Sequence, residues 1–491
     1  MDDSLSAAVA ALVDVAAAKA TGPEARGQLL EIRQRLDDPL RLAIAGKVKA
    51  GKSTLLNALV GEELAPTDAG ECTQIVTWYQ HSDRPEAVLF PRDEGPVAAR
   101  FTRGGGALDV DLGGRSPDDI DHLQVRWPTR WLRDLTLIDT PGIASISANL
   151  SARTQRVLTP EDDRPPVVDA VLYLLRHTHA SDVRFLESFH DDELVHGTPM
   201  NAVGVLSRAD EIGSCRLDAL EVAERVADRY KHEPRLRRLC PVIVPVAGLL
   251  GHAAGTLREA EFRALARLAA LRADIYDELV LTVDRFGDAG SSVEVTELER
   301  RHLLGRLGLF GVRLSVDLIR SGTTSTATEL AHELTRRSGM SRLRTVLLRQ
   351  FTQRSQLLKA RSALTALTAV VATGGCTDGD TLRREVEQIT SGAHAFQEVR
   401  LLDQLRTDGL DLKADRAAEL DRLLGGAGHD AFSRLGLDDG ATGDDIGAAA
   451  LTALSRWQHI AEHPLSQRPV QLAARTVSRT LEGIIATSAP S

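Results

Sequence analysis

Lysine is scarce in this chain: seven occur in 491 residues, at positions 19, 47, 49, 52, 231, 359 and 413, among 59 basic residues in all. Where nearly every other cation is arginine, a lysine is seldom filler, and three of the seven fall within residues 47–52. Aromatic residues make up only 4%, which disfavours an all-β sandwich and suits helices rich in alanine and leucine. The four cysteines (Cys72, Cys215, Cys240, Cys376) form no C-x-x-C pair, so zinc spacings and a disulfide framework are excluded and a reducing compartment is expected. No apolar run approaches the roughly 18 residues of a membrane span, and a Met-Asp-Asp start with Asp14 in its apolar stretch does not read as a secretory signal. The expectation is a cytoplasmic protein whose membrane contact, if any, is peripheral. A net charge of −10 excludes a surface that is basic throughout, and no specific nucleic acid is expected as a partner. The 43% hydrophobic and 26% charged content excludes disorder, and the length sets a prior of about three domains.

Residues 5–20 read as an alanine-rich helix, broken at Thr21-Gly22-Pro23 and followed by a second helix carrying Leu29, Leu30, Ile32 and Leu36. From 40 to about 285, strand-length apolar runs (40–45, 75–79, 135–139, 169–175, 202–206, 242–246) alternate with helical stretches (146–158, 182–190, 216–231, 256–283). That alternation predicts an α/β fold with a mostly parallel sheet covered by helices on both faces. Residues 86–127, with glycine turns at 104–106 and 113–114, read as added antiparallel strands. From Gly287 onward the periodicity is helical, which predicts an all-α bundle. The expected division is 1–37 joining the bundle, 38–285 as the α/β domain, and 286–491 as a helical neck and trunk.

The decisive run is Gly46-Lys47-Val48-Lys49-Ala50-Gly51-Lys52-Ser53-Thr54, a complete G-x-x-x-x-G-K-[ST] between a strand and an amphipathic helix. Small residues let consecutive backbone N–H groups curl around a β-phosphate, Lys52 reaches the β- and γ-phosphates, and the Ser53 hydroxyl ligates Mg²⁺. The strand 135–139 then ends in Asp139-Thr140-Pro141-Gly142, placing a carboxylate where it holds Mg²⁺ through water and a glycine N–H where it senses the γ-phosphate. Between the two lies Glu71-Cys72-Thr73; Thr73, with Thr67 as the alternative, is the hydroxyl expected to complete the Mg²⁺ shell and to act in catalysis. The strand 202–206 leads into Ser207-Arg208-Ala209-Asp210, whose Asp210 suits the paired N–H groups of a guanine edge while Arg208 stacks on the base. Ala247-Gly248 is expected as the last base loop. Ile143 stands where small GTPases carry a water-orienting glutamine, so Lys49, able to fold over the β–γ bridge, is the candidate internal cation for catalysis.

The stretch from Ala45 to Tyr79, with Leu137-Ile138-Asp139-Thr140-Pro141-Gly142, Ser207-Arg208-Ala209-Asp210-Glu211-Ile212-Gly213 and Val244-Pro245-Val246-Ala247-Gly248, resembles the bacterial dynamin-like GTPases. More narrowly it is similar to the isoniazid-inducible dynamin-like proteins of mycobacteria and related actinobacteria, over nearly the whole chain. The resemblance implies a head that binds GTP/GDP with Mg²⁺ and hydrolyses GTP, self-association or pairing with a paralogue through the heads, and membrane binding at the trunk tip. On that pattern Lys52, Ser53, Thr73, Asp139, Gly142 and Asp210 carry the nucleotide and metal roles. Eukaryotic dynamins carry Gln and Ser at the third and fourth loop positions where this chain has Val48 and Lys49, and Lys49 occupies the place that guanylate-binding proteins fill with a catalytic arginine. The expected product is membrane fission, fusion or repair under envelope stress, at the inner face of the cell membrane.

Residues 300–361 hold 13 basic and three acidic side chains. Such a stretch suits anionic membrane lipid, and inside it Leu307, Leu309, Phe310 and Val312 are candidates to wedge into the headgroup boundary. Two blander possibilities stay open: the cations pair with residues 378–445, which carry 16 acids against eight bases, and the apolar residues are ordinary core. Two rival functions stay open as well, a ribosome- or RNA-associated GTPase and a weakly hydrolysing scaffold that regulates a paralogous partner.

Overall fold

The computed structural model describes residues 2–66, 75–104, 107–140, 168–176, 201–233, 236, 239–240, 242–288, 293–406, 410–426, 428–438 and 440–488. Eleven strands occur among them: β1 (Leu40–Gly46), β2 (Val76–His81), β3 (Glu86–Pro91), β4 (Val97–Ala98), β5 (Phe101–Gly104), β6 (Ala107–Val110), β7 (Ile120–Trp127), β8 (Leu135–Asp139), β9 (Ala170–Leu175), β10 (Ala202–Ser207) and β11 (Ile243–Val246). Nine make one sheet in the order β11-β10-β9-β1-β8-β2-β7-β3-β4, and β5 with β6 form a separate hairpin. β11, β10, β9, β1 and β8 run parallel. The direction reverses at β2, which pairs antiparallel with β8 and parallel with β7, and β3 and β4 add antiparallel edges.

β9 and β10 are buried along their whole length, as expected where helices cover both faces of a sheet. Along β1 the side chains alternate: Leu40, Leu42 and Ile44 enter one core, Ala43 and Ala45 the other. The first core is closed by α3 (Lys52–Val60), the second by α4 (Ala219–His232). Beyond β11 follow α5 (Gly248–Gly255), α6 (Glu259–Ala270), α7 (Glu297–Arg320), α8 (Ala327–Arg337), α9 (Met340–Leu347) and α10 (Ser355–Ala372). The bundle comprises α1 (Asp2–Ala18), α2 (Pro23–Arg35), α11 (Gly379–Gly392), α12 (His394–Arg406), α13 (Ala414–Leu423), α14 (Gly443–Glu462) and α15 (Arg468–Ser488). α1 and α2 share one apolar cluster with α10, α11 and the start of α12; α13, α14 and α15 pack on the rest of α12 in another.

Residues 286–361, expected with the neck and trunk, depart from that reading. Phe286, Leu303, Leu307, Leu309, Phe310 and Val312 share a core with Leu250, Leu265 and Leu268 of α5 and α6, and Met340, Leu343 and Leu347 lie in the sheet core with Leu42 and Ile44. Helix α10 joins the two bodies, sending Leu358 to the sheet core and Leu357, Leu364 and Leu367 to the bundle.

The membrane wedge expected from sequence is overturned. Leu307 is 1% exposed, Leu309 7%, Phe310 1% and Val312 0%, so none can enter a lipid headgroup layer without unfolding its surroundings. The turn suggested by Gly308 is real but internal: Gly308, at φ 65° and ψ 173°, kinks α7 against Leu249. Many cations of this segment are held within the fold. Arg300, 1% exposed, donates to the carbonyls of Phe286 (2.7 Å) and Val295 (2.6 Å). Arg313 donates to the carbonyls of Cys215 and Val280, Arg320 to those of Ala269 and Leu271 at the end of α6, and Arg344 to that of Ala58 at the end of α3. A guanidinium suits such places because the last helix carbonyls lack intrahelical donors and carry the negative end of the dipole. Arg306 pairs with Glu261 and Arg342 with Glu224, acids of the head rather than of 378–445.

Candidate nucleotide site

The candidate phosphate loop leaves β1 at Gly46 (φ 153°), where a Cβ would crowd the Leu174 carbonyl oxygen of β9 at 3.0 Å. Lys49 (φ 61°) and Gly51 (φ 91°) take positive φ, curling the loop so that α3 begins at Lys52. Val48 and Lys49 are exposed, and Lys49 makes no hydrogen bond or ion pair among the described residues, whereas Ala50 is buried against the sheet. The Lys52 ammonium donates to the carbonyls of Gly46 (3.3 Å) and Lys47 (3.5 Å), and burial lowers its pKa against the opposing pull of Asp139.

Asp139 meets this loop from β8, the strand paired with β1. Ser53 donates its hydroxyl to Asp139 Oδ2 at 3.4 Å, while Oδ1 is enclosed without a hydrogen-bond donor among the described residues. Burial raises the carboxyl to about 6 despite Lys52 and Ser53. An enclosed carboxylate oxygen with no partner is costly, and with the hydroxyl beside it two oxygen donors of the kind Mg²⁺ takes stand together. Thr140 closes the strand by donating its hydroxyl to the Ile44 carbonyl at 2.9 Å. Thr73, the alternative Thr67, Gly142 and Ile143 lie outside the described residues.

The base-reading segments converge on the same loop. A cavity of about 220 Å³ is lined by Ala50, Gly51 and Thr54, by Ser207, Arg208, Asp210 and Glu211, and by Val246 and Gly248. Asp210, 8% exposed, is raised to about 6 by burial. The Ser207 hydroxyl donates to the Leu175 carbonyl of β9 at 3.1 Å. Ala247 does not line the cavity; its N–H is held by the Ser338 carbonyl at 2.9 Å.

Three residues here, Arg176, Glu211 and Gly339, escaped sequence reasoning. Glu211 accepts from Arg208 at 2.6 Å and from Arg176 at 2.8 Å, fixing the guanidinium beside the cavity. Asp210-Glu211 adjacency was the available signal for it. Gly339 had none: at φ 80° its Cβ would stand 2.2 Å from the Pro245 carbonyl oxygen, and this packing of α9 on β11 is long-range.

Residues 42–103 match the Dynamin family. The chain is 41% identical over 461 residues to isoniazid-induced protein IniC of Mycobacterium tuberculosis, covering 94% of this chain and 92% of that protein. It is 29% identical over 173 residues to isoniazid-induced protein IniA of the same organism, covering 31% of this chain and 26% of that one. Among solved structures, an oligomerised bacterial dynamin pair described as sensing and tethering membranes at long range is 12% identical over 94% of this chain and 87% of that chain, at a TM-score of 0.31.

Proposed function

We propose, for a chain that belongs to the bacterial dynamin-like family together with the isoniazid-induced proteins of mycobacteria, that it binds Mg²⁺·GTP, hydrolyses it to GDP and phosphate, and couples the cycle to head association and membrane remodelling as a peripheral protein. The observation that carries the nucleotide reading is the convergence of the phosphate loop, the Ser207–Glu211 segment and Val246–Gly248 on one cavity, with the unpartnered oxygen of Asp139 beside Ser53. Bound Mg²⁺ supplies charge neutralisation at the phosphates, and Ser53 and Asp139 would hold it. Lys52 exchanges backbone carbonyls for the β- and γ-phosphates, gaining charge-assisted bonds. Asp210 accepts from the guanine edge, and Arg208, fixed by Glu211, covers the base face. Lys49, exposed at the loop tip, supplies the cation for charge developing at the β–γ bridge. Thr73 and Gly142 are assigned the γ-phosphate-sensing roles.

The membrane reading rests on the family, and among the described residues no helix is long and apolar enough to cross a bilayer. A second reading, a weakly hydrolysing scaffold for a paralogous partner, is favoured by the Ser207 hydroxyl being engaged by Leu175 instead of the loop. An RNA partner loses its support because many cations of 300–361 are engaged within the fold.

The test is calorimetric titration of the purified chain with a non-hydrolysable GTP analogue in Mg²⁺, with ATP as competitor, followed by phosphate release and by sedimentation with anionic liposomes. Absence of a guanine-nucleotide isotherm overturns the reading. Binding without turnover favours the scaffold, and turnover without lipid co-sedimentation removes the membrane step.

A further inference from the structure

Two surfaces of this chain carry aliphatic side chains that folding leaves in water. The first is a corner of the head, built from the helices Ala273–Leu279 and Val283–Gly287 and the start of α7. Tyr276, Leu279, Phe286 and Val295 turn inward to the core under α5, α6 and α7. Arg300 ties the corner together by donating to the carbonyls of Phe286, Asp288 and Val295. Ile275, Leu281, Val283 and Leu298 stay outside, Leu298 at 80% exposure. The surroundings are acidic: residues 273–299 hold eight carboxylates and one cation. Of the carboxylates, Asp277, Asp284 and Glu294 are exposed and form no ion pair among the described residues.

The second surface is the outer stripe of α15 with the turn before it. Arg468, Leu472 and Arg475 recur at i, i+4 and i+7, one face of a helix, while Val470, Ala473, Ala474 and Val477 lie in the bundle core. All three stripe residues are exposed, and Leu465 in the turn is 88% exposed. Leu465 and Leu298 are the two most exposed large apolar side chains among the described residues. Residues 463–481 contain three arginines and no acid. Glu462 closes α14 before the turn and Asp411 is engaged by Gln467 at 3.2 Å, and Arg468 and Arg475 pair with no carboxylate among the described residues. Arg479, farther along, lines a cavity in the bundle with Glu385 and Glu398 and takes no part.

We infer that the α15 stripe of one copy of this chain docks on the head corner of a second copy, Leu465 and Leu472 against the aliphatic group around Leu281 and Leu298, Arg468 and Arg475 against Asp277 and Asp284. Clustered apolar side chains with a polar rim mark protein interfaces, and these two rims have opposite sign. Each surface is open in the structure, so the two do not meet within one chain. An anionic lipid surface fits only one of them, because it attracts the arginines and repels the acidic corner. A second copy accounts for both. The contact runs from head to bundle and is heterologous, so its repetition gives a ring or an open chain. It differs from association through the heads and needs no nucleotide. With so few side chains on each partner it falls below the about 1,200 Å² of stable complexes and is weak.

The test is sedimentation velocity of the full chain without nucleotide, over a concentration series up to about 100 μM. It is run at low salt and at about 1 M salt, where the Debye length falls to about 3 Å. Mass should rise with concentration at low salt and fall back at high salt. Arg468→Glu with Arg475→Glu, and separately Asp277→Arg with Asp284→Arg, should each weaken association at least about tenfold. An equimolar mixture of the two variants, or one chain carrying all four changes, should restore it to within about threefold, a rescue that a merely structural effect cannot give. The changed side chains are exposed, so melting temperatures should stay close to that of the parent chain. If a charge reversal fails to fold, Leu298→Ser and Leu465→Ser remove the apolar half, each weakening association about fivefold. Association blind to both charge reversals, a mixture that stays apart, or a monomer at every concentration overturns the proposal. So does compaction without gain in mass, which means closure within one chain. Loss of liposome binding in Arg468→Glu with Arg475→Glu while self-association persists assigns the stripe to lipid and overturns it as well.

Discussion

Two clusters of cations in this molecule have opposite fates. In 47–52, Lys49 stands exposed and Lys52 rests on two carbonyls at 3.3 and 3.5 Å, long contacts that a phosphate would replace. In 300–361, Arg300 and Arg313 make bonds of 2.6–2.7 Å to carbonyls that have no better donor. Both stretches are basic, yet Lys49 and Lys52 are free or loosely held where Arg300 and Arg313 are tightly bonded. What separates them is the company: a curled loop of small residues offers N–H groups and little to satisfy an ammonium, whereas ends of helices offer orphan carbonyls.

The comparison breaks most sharply at Lys52. Lys52→Ala should lower guanine-nucleotide hydrolysis at least about a hundredfold with the melting temperature nearly unchanged; phosphate release and calorimetric melting check this, and retained turnover would show that Lys52 is not the phosphate cation. Arg300→Ala should do the reverse, destabilising the fold by about 2–4 kcal/mol by stranding buried carbonyls while leaving liposome binding intact; urea melts and co-sedimentation read the two effects. Lost lipid binding in a folded variant would return the segment to the membrane.

Asp139→Asn should stabilise the ligand-free protein by about 1–3 kcal/mol, because the carboxyl is raised to about 6 from 3.8, and should abolish Mg²⁺-dependent nucleotide binding. The pH dependence follows from the same sign. Asp139 and Asp210 both titrate near 6 in the free fold, so their stabilisation is fully present below the ordinary aspartate range and is lost as pH rises through about 6. Mg²⁺ and the guanine edge demand the ionised forms, so Mg²⁺·GTP affinity should fall about tenfold between pH of about 7.5 and 5.5. Flat affinity across that range would remove Asp139 from the metal site. The smallest expected effect is Arg336→Ala: its partner Glu333 is also held by Arg337, and the Arg336 side chain is 61% exposed, so stability should move by less than about 0.5 kcal/mol.

The strands are legible in sequence because each is a local statement. The apolar runs at 40–45, 135–139 and 202–206 correspond to β1, β8 and β10 within a residue or two, and the loop between β1 and α3 announces itself by spacing. Sequence alone does not reveal the partner of Ser207, because the Leu175 carbonyl lies 32 residues away on the adjacent strand. It leaves Leu309 and Phe310 open between wedge and core because a basic, glycine-containing stretch has the same composition whether it faces lipid or a core.

The order of residues alone therefore determined the family and the sheet strands and marked 46–54 as the candidate phosphate loop, since 2.0- and 3.6-residue periods and a nine-residue motif need no distant partner. The tertiary structure decided where charge is satisfied: Arg344 reaches Ala58 across 286 positions and Lys359 reaches Leu36 across 323. A cation's role depends on the acceptor that folding brings to it, and no window of sequence contains that acceptor.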